Sequence, residues 1–450
     1  MTTDPTNGTG QSPESSAVPF VAQPASIEET GLDLSLLADL MLKSIYFAGR
    51  PSGHQIAANL ALSYPVIEEL LVFLRQEQAV EIVGSTGVGD TGYQYALTGR
   101  GREKAEDALS RNQYVGAVPV SFEAYVEVLR LQSVRDMHID REVFLNGLSH
   151  LVLNRRVLAA LGPAVNAGRS VLIYGSSGNG KSSVSLAIGA MLPDLALIPY
   201  AVEVHGQIVK VFDPRLHQGA EKLLRSDRRE APTDPPPEGR ERRRDRRWAV
   251  AKRPVVTVGG ELTLADLELR YSPSSKFYIA PLQWKANSGL LIIDDFGRQM
   301  IEPQQLLNRW IVPMEQSLDH LSLHTGDTIE LPFEVMLVFS TNLPPSRLGD
   351  EAFFRRIRHK VEVTGPTEEE FLEILRHVCE ERDVEYSDEG AQYLLTTYYR
   401  QGDRELKGCH PRDLVELLTD MTRFYDEKPA LTPEWIDLAA TSYFVEAKAA

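Results

Sequence analysis

Gly175-Ser176-Ser177-Gly178-Asn179-Gly180-Lys181-Ser182 brings glycines, one lysine and one hydroxyl into a fixed spacing. Val171-Leu172-Ile173-Tyr174, a short apolar strand pattern, runs directly into it, and a helical run from Ser183 to Met191 follows. This is the complete G-x-x-x-x-G-K-S pattern in its strand–loop–helix setting. Glycines let the backbone turn so that several N–H groups point at one anion. The helix N-terminus adds a partial positive charge. The chemistry implied is the cradling of a nucleoside triphosphate by Gly175 to Ser183. Lys181 reaches the β and γ phosphates, and the Ser182 hydroxyl is a ligand for Mg²⁺. A chance glycine-rich turn would not fill every position in this setting.

A second stretch supplies the acids that such a site needs. Gly289-Leu290-Leu291-Ile292-Ile293-Asp294-Asp295 has four apolar residues for a buried central strand, with two acids at its C-terminal end. Ligands bind at that edge in open α/β sheets. Asp294 is the expected holder of Mg²⁺ through its water shell. Asp295 is the expected residue to orient the attacking water. Asp294 to Gly297 also contain an Asp-Phe-Gly run known from protein kinases. That reading fails, because the loop carries its own lysine and no kinase-like catalytic loop is present.

With these two motifs the chain resembles the AAA+ ATPase superfamily over about residues 140 to 445. Val338-Phe339-Ser340-Thr341-Asn342 is similar to the family's sensor-1 strand, with Asn342 as the polar residue near the γ-phosphate. Asp350 to Ile357 resembles the segment that ends in an arginine finger. Arg356 is the best match and Arg355 the fallback; surface ion pairs are the plain alternative for both. His410-Pro411-Arg412-Asp413-Leu414 looks like sensor 2 in a helical lid, with Arg412 reaching the nucleotide of the same subunit. Lys285 to Leu290 and Leu306 to Glu315 resemble the MoxR-like and helix-2-insert branches. The family commonly has Glu where this chain has Asp295, one methylene shorter, which implies slow hydrolysis or a shifted water. The resemblance implies ATP and Mg²⁺ as cofactors and a homo-oligomeric ring, with a hexamer as the family form. A finger that works across a boundary needs heterologous contacts.

The elements that position these residues are legible in outline. The chain has 450 residues, enough for two or three domains, with 43% hydrophobic and 24% charged residues. No apolar run is long enough for a membrane span, and no secretory leader is apparent. Two cysteines, Cys379 and Cys409, form neither a disulfide framework nor a metal cluster, which points to a reducing cytoplasm. The fold class expected is α/β: a P-loop AAA+ core with a parallel central sheet, a C-terminal helical lid and an N-terminal winged helix-turn-helix-like domain. The boundaries expected are a disordered tail at 1–31, the winged-helix-like domain at 32–112, a connector at 113–139, the ATPase core at 140–364 and the lid at 365–450. Within the core, Arg225 to Pro254 reads as an exposed basic insertion, with eleven Lys or Arg against six Asp or Glu between Arg225 and Arg253. Phe277 and Tyr278 have two readings, a pore-lining aromatic pair or core residues of their own subunit.

The N-terminal pattern is helix, helix, helix, strand, glycine-rich wing, strand. Ser63 is expected to cap the third helix, with Pro65 in its first turn. Gly31 to Ser110 carry six basic against ten acidic residues, and the third helix holds Glu68, Glu69 and Glu77 with only Arg75. Phosphate contacts need the opposite sign. With a chain net charge of -16, a chaperone-like remodeller of an unknown protein client is favoured over a DNA-binding ATPase. The basic insertion keeps DNA open, and Asp295 keeps open a slow nucleotide-dependent switch.

Overall fold

The computed structural model describes residues 18–85, 92–193, 195–219, 243–348 and 354–444. Three α-helices come first, α1 (Leu34–Ala48), α2 (Gly53–Leu60) and α3 (Tyr64–Gln76). An antiparallel hairpin of β1 (Val80–Ser85) and β2 (Tyr93–Leu97) follows, then α4 (Gly99–Arg111). Leu37, Leu40, Met41 and Ile45 recur at helical spacing in α1 and bury one face against Val66, Ile67 and Leu70 of α3. Ser52 and Gln55 cap α2 reciprocally. The helix and strand order is the expected one; wing residues 86–91 lie outside the described set. Ser63 does not cap α3 with its side chain. Its hydroxyl donates instead to the Pro24 carbonyl at 2.6 Å.

The site is built on a five-stranded parallel sheet, so the chain is α/β. Its strands are β4 (Val171–Tyr174), β9 (Val255–Val258), β12 (Gly289–Ile293), β15 (Val335–Thr341) and β16 (His359–Glu362). Their order is β16-β4-β15-β12-β9. Continuous apolar runs suit a sheet covered on both faces. Leu290 and Ile292 face a core with Val184 and Ile188 of the helix Lys181–Ala190. Leu291 and Ile293 face the opposite core, with Leu306 and Trp310 of the helix Pro303–Gln316. The C-terminal region is helical, with Glu368–Glu381 and His410–Phe424 packed around Phe371, Leu375, Leu414 and Leu418. Thr367 and Glu370 form its first capping box.

A second sheet, in the order β10-β11-β7-β6-β3, is interleaved in sequence with the parallel sheet, with β4 falling between β3 and β6 and β9 between β7 and β10. It comprises β3 (Val120–Ser121), β6 (Ala201–Val204), β7 (Gln207–Lys210), β10 (Arg270–Ser272) and β11 (Phe277–Ile279). The supposed connector therefore contributes a strand. Two hairpins complete the strands, β5 (Leu195–Pro199) with β8 (Trp248–Lys252) and β13 (Leu318–Ser322) with β14 (Thr328–Pro332). Tyr278 is 1% exposed, and Phe277 packs edge-on against Tyr114. The pore reading of this pair gives way to the core reading, because β11 is an interior strand of the second sheet.

Two other expectations change. Val18 and Val21 pack on the core of the second sheet, and Gln23 N–H donates to the Arg243 carbonyl. The ordered chain thus begins well before residue 32; residues 1–17 lie outside the described set. Where it is described, the basic stretch is only partly exposed: Arg243, Arg244, Arg246 and Lys252 face solvent, but Arg247 and Arg253 are buried. Asp245 and Arg247 are each 4% exposed and form an ion pair at 2.9 Å. Arg247 Nη1 donates to the carbonyls of Thr30 and Pro119. Arg253 donates to the carbonyls of Pro193, Gln132 and Ser288. These guanidiniums satisfy buried carbonyls between elements distant in sequence, which a local count of charges does not register. Residues 225–242 fall outside the described set. Among the described residues, no single helix is long and apolar enough to cross a membrane.

Candidate active site

The glycine-rich loop leaves β4 at its C-terminal end. Gly175 has φ 144°, and a Cβ there would stand 2.1 Å from the Val363 carbonyl oxygen. Only glycine fits that approach. Gly178 and Gly180 have φ of 87° and 80°, and Gly180 is the N-cap of the helix Lys181–Ala190. Successive turns of this kind aim backbone N–H groups into one concavity. Ser182 is exposed at the helix start, and Ser183 is half-buried beside it.

Lys181 is 8% exposed, and its Nζ donates to the Ser176 carbonyl at 2.9 Å. Burial pushes its pKa down, and the carboxylates of Asp295 and Asp294 oppose that shift. Loop lysine and acid pair are therefore electrostatically coupled, although β4 and β12 are not neighbours. β15 runs between them, and Asn342 follows directly from its C-terminal end. The structure thus brings the loop, Asn342 and the acid pair to one sheet edge.

The acids sit on a tight turn. Asp294 N–H donates to the Val258 carbonyl, and Asp294 Oδ1 accepts from Asp295 N–H at 3.0 Å. Asp295 is exposed and has φ 48°, a region where Asp and Asn are favoured among non-glycine residues. Phe296 then turns inward, 1% exposed, and packs edge-on against Phe339. Thr341 Oγ1 donates to the Phe296 carbonyl at 2.6 Å, which ties the end of β15 to the acid turn. Gln299 also escaped the sequence reading. Its Nε2 donates to the carbonyls of Asp294 and Asp295, and its Oε1 accepts from Gly297 N–H. No motif announces it; a glutamine soon after an acid pair is the only available signal.

The arginines are elsewhere. Arg356 lies before β16, and its carbonyl accepts from the Ser170 hydroxyl just ahead of β4. β16 and β4 are parallel, so Arg356 is at the sheet edge opposite the loop. Its Nε pairs with Glu315 at 2.5 Å. Arg135, Arg169, Arg355 and Arg358 line the same depression, a cavity of about 280 Å³. Residues 350–353 of the expected finger segment lie outside the described set. Arg412 sits in the first turn of His410–Phe424, with its side chain 60% exposed and paired with Asp413 at 3.5 Å. The loop preceding it makes the contact with the phosphate loop instead: Cys409 N–H donates to the Gly178 carbonyl at 2.7 Å, and Gly408 N–H to Asn179 Oδ1 at 3.1 Å.

The donor set at the lysine edge is a serine hydroxyl and carboxylates, hard oxygens of the kind Mg²⁺ takes together with substrate phosphates and waters. Among the described residues, no group of three or more His, Cys, Asp or Glu could hold a metal ion by itself. A magnesium ion would then rely on Ser182, Asp294 and the nucleotide.

Residues 367–442 match a family described as "Domain of unknown function (DUF8689)". A comparison with curated proteins returns no match. Similar solved structures include the Thermotoga maritima RuvB Holliday junction branch migration motor, 15% identical, covering 70% of this chain and 73% of that one at a TM-score of 0.34. NtrX from Brucella abortus is 15% identical, covering 74% of this chain and 66% of that one at a TM-score of 0.39. At such scores the likeness carries no argument about activity.

Proposed function

We propose that the chain is an AAA+ ATPase that binds ATP with Mg²⁺ in the loop Gly175 to Ser183 and hydrolyses the β–γ phosphoanhydride. The observation that carries this reading is the placement of the glycine-rich loop with buried Lys181, of Asn342, and of Asp294 and Asp295 at the C-terminal ends of the successive parallel strands β4, β15 and β12. Loop N–H groups and Lys181 hold the phosphates. Asp295 orients a water for in-line attack and receives its proton, while the γ-phosphoryl leaves ADP. Mg²⁺ held by Ser182 and Asp294 would neutralise the charge that develops on the phosphate oxygens. Asn342 lies at the same edge, suited to fixing the water.

For the driven step, remodelling of a protein client is favoured over DNA binding. The buried Arg247 donates to the carbonyls of Thr30 and Pro119, and the exposed Arg246 reaches back to those of Ala57 and Leu62. The Arg247 guanidinium is therefore spent on the protein's own backbone rather than offered to phosphates. The acidic α3 points the same way. A homo-oligomeric ring is part of this proposal, because Arg356 stands at the strand ends opposite the phosphate loop of its own subunit.

The test is ATP binding and turnover by the parent and by Lys181→Ala, alone, with duplex DNA and with cell-extract proteins. Lys181→Ala should lower ATP affinity tenfold or more, about 1.4 kcal/mol or above. Equal affinity in the two proteins removes the site assignment. Stimulation by DNA, but not by protein, reverses the ranking of clients.

A further inference from the structure

Asn179 occupies a variable position of the phosphate loop, where nothing in the G-x-x-x-x-G-K-S pattern demands a side chain. It is nevertheless 7% exposed and hydrogen-bonded on both sides. Its Nδ2 donates to Ser176 Oγ at 2.7 Å, within the loop. Its Oδ1 accepts from Gly408 N–H at 3.1 Å, across 229 residues of sequence. Beside it, Cys409 N–H donates to the Gly178 carbonyl at 2.7 Å. The fit is close, since a Cβ on Gly178 would stand 2.6 Å from Cys409 Sγ. The C-terminal helical region is thus joined to the phosphate loop through the turn ahead of His410–Phe424, not through Arg412.

These bonds fall on the segment whose shape sets how the loop amides point. Ser176, reached from one end of the Asn179 amide, also presents the carbonyl that holds Lys181 Nζ. Phosphates entering the loop draw on the same amides and the same lysine. A change in loop shape must therefore be felt at Gly408, and a displaced Gly408 must be felt at Ser176. Such coupling is reciprocal by thermodynamic necessity.

We infer that Asn179 is a positioning residue that transmits nucleotide occupancy from the phosphate loop to the C-terminal helical region through Ser176 Oγ and Gly408 N–H. This rests on the reading of Gly175 to Ser183 as an ATP site. ATP tightens the link, so bound nucleotide holds the helical region against the loop.

The experiment is amide hydrogen exchange of the full chain at Gly408 and Cys409, with and without ATP, in the parent, Asn179→Ala and Asn179→Asp. In the parent, ATP should slow exchange at both amides at least fivefold. Asn179→Ala should speed exchange in the nucleotide-free protein by about fivefold, abolish most of the ATP effect and weaken ATP binding three- to tenfold. Asn179→Asp retains an acceptor for Gly408 N–H and should restore nucleotide-free protection to within about twofold of the parent, a rescue that loss of packing alone would not give. Should Asn179→Ala fail to fold, Asn179→Ser, too short to reach Gly408, carries the same test. A parent that binds no ATP overturns the nucleotide reading and, with it, this one. A parent that responds to ATP, beside an Asn179→Ala that responds equally, overturns the role of Asn179 alone.

Discussion

Lys181 and Arg356 stand at opposite edges of one parallel sheet. Lys181 follows the loop beyond the C-terminal end of β4, whereas the Arg356 carbonyl bonds Ser170 ahead of that strand's N-terminal end. Four strand residues, at about 3.3 Å each, separate the two edges. Within one subunit the guanidinium does not serve the phosphates that Lys181 would hold. If Arg356 is a finger, it acts on a neighbour. Arg356→Ala should then bind ATP like the parent, assemble, and turn over at least a hundredfold more slowly. Mixed with Lys181→Ala, it should regain part of the activity, since one boundary in the mixed assembly has both an intact loop and an intact Arg356. A monomer fully active over a wide dilution range ends the idea.

Arg247 tests the correction made to the basic stretch. With Asp245 it forms a buried pair that also anchors the carbonyls of Thr30 and Pro119. Arg247→Ala leaves the Asp245 carboxylate buried without its partner, and should cost about 3–5 kcal/mol in urea unfolding. Replacing both members by apolar residues of similar size should cost much less. An Arg247→Ala protein as stable as its parent would mean that the stretch is the solvated loop its charge suggests.

The contrast between Lys181 and Arg247 explains what the sequence made legible. Lys181 belongs to a site written in consecutive residues, because a strand, a turn and a helix start are enough to shape it. Asp294 and Asp295 are readable for the same reason, from one apolar strand and its exit. Arg247, Arg253 and Gln299 act by satisfying backbone carbonyls, a role with no residue-type pattern around it. β3 and β11 each have only two or three residues, too short for any period to appear, and they acquire partners more than sixty positions away. The link from Asn179 to Gly408 is invisible until both ends of the chain are folded.

His410 supplies a pH dependence with a definite sign. It is 8% exposed, with Nδ1 at 2.9 Å from the Tyr399 hydroxyl. Burial foremost, then the Lys407 charge, lowers its pKa to about 4 from an ordinary 6.5. Between those values the unfolded chain binds the extra proton and the folded chain does not. Stability is therefore full above pH 6.5 and declines as pH falls toward 4, by about 3 kcal/mol from this group. Urea unfolding at pH 7 and pH 5, in the parent and in His410→Gln, should show a smaller loss in the variant. Equal losses would assign the acid sensitivity to other groups.

Asp295 stands where the resemblance calls for glutamate, and its backbone gives the reason. Its φ of 48° lies in the left-handed region, which Asp and Asn enter more readily than longer side chains. The turn must be this tight, because Phe296 N–H returns at once to the Ser340 carbonyl at 2.7 Å and Gln299 braces the acids from behind. Asp295→Asn preserves the turn and the volume while removing the charge that orients water. ATP binding should persist, and turnover should fall a hundredfold or more. Asp295→Glu extends the carboxylate but strains the turn. It should unfold earlier, by about 1 kcal/mol, without a gain in rate. The two variants separate turn geometry from chain length as the cause of the shorter acid. A faster Asp295→Glu enzyme with undiminished stability would instead make the missing methylene a brake on hydrolysis.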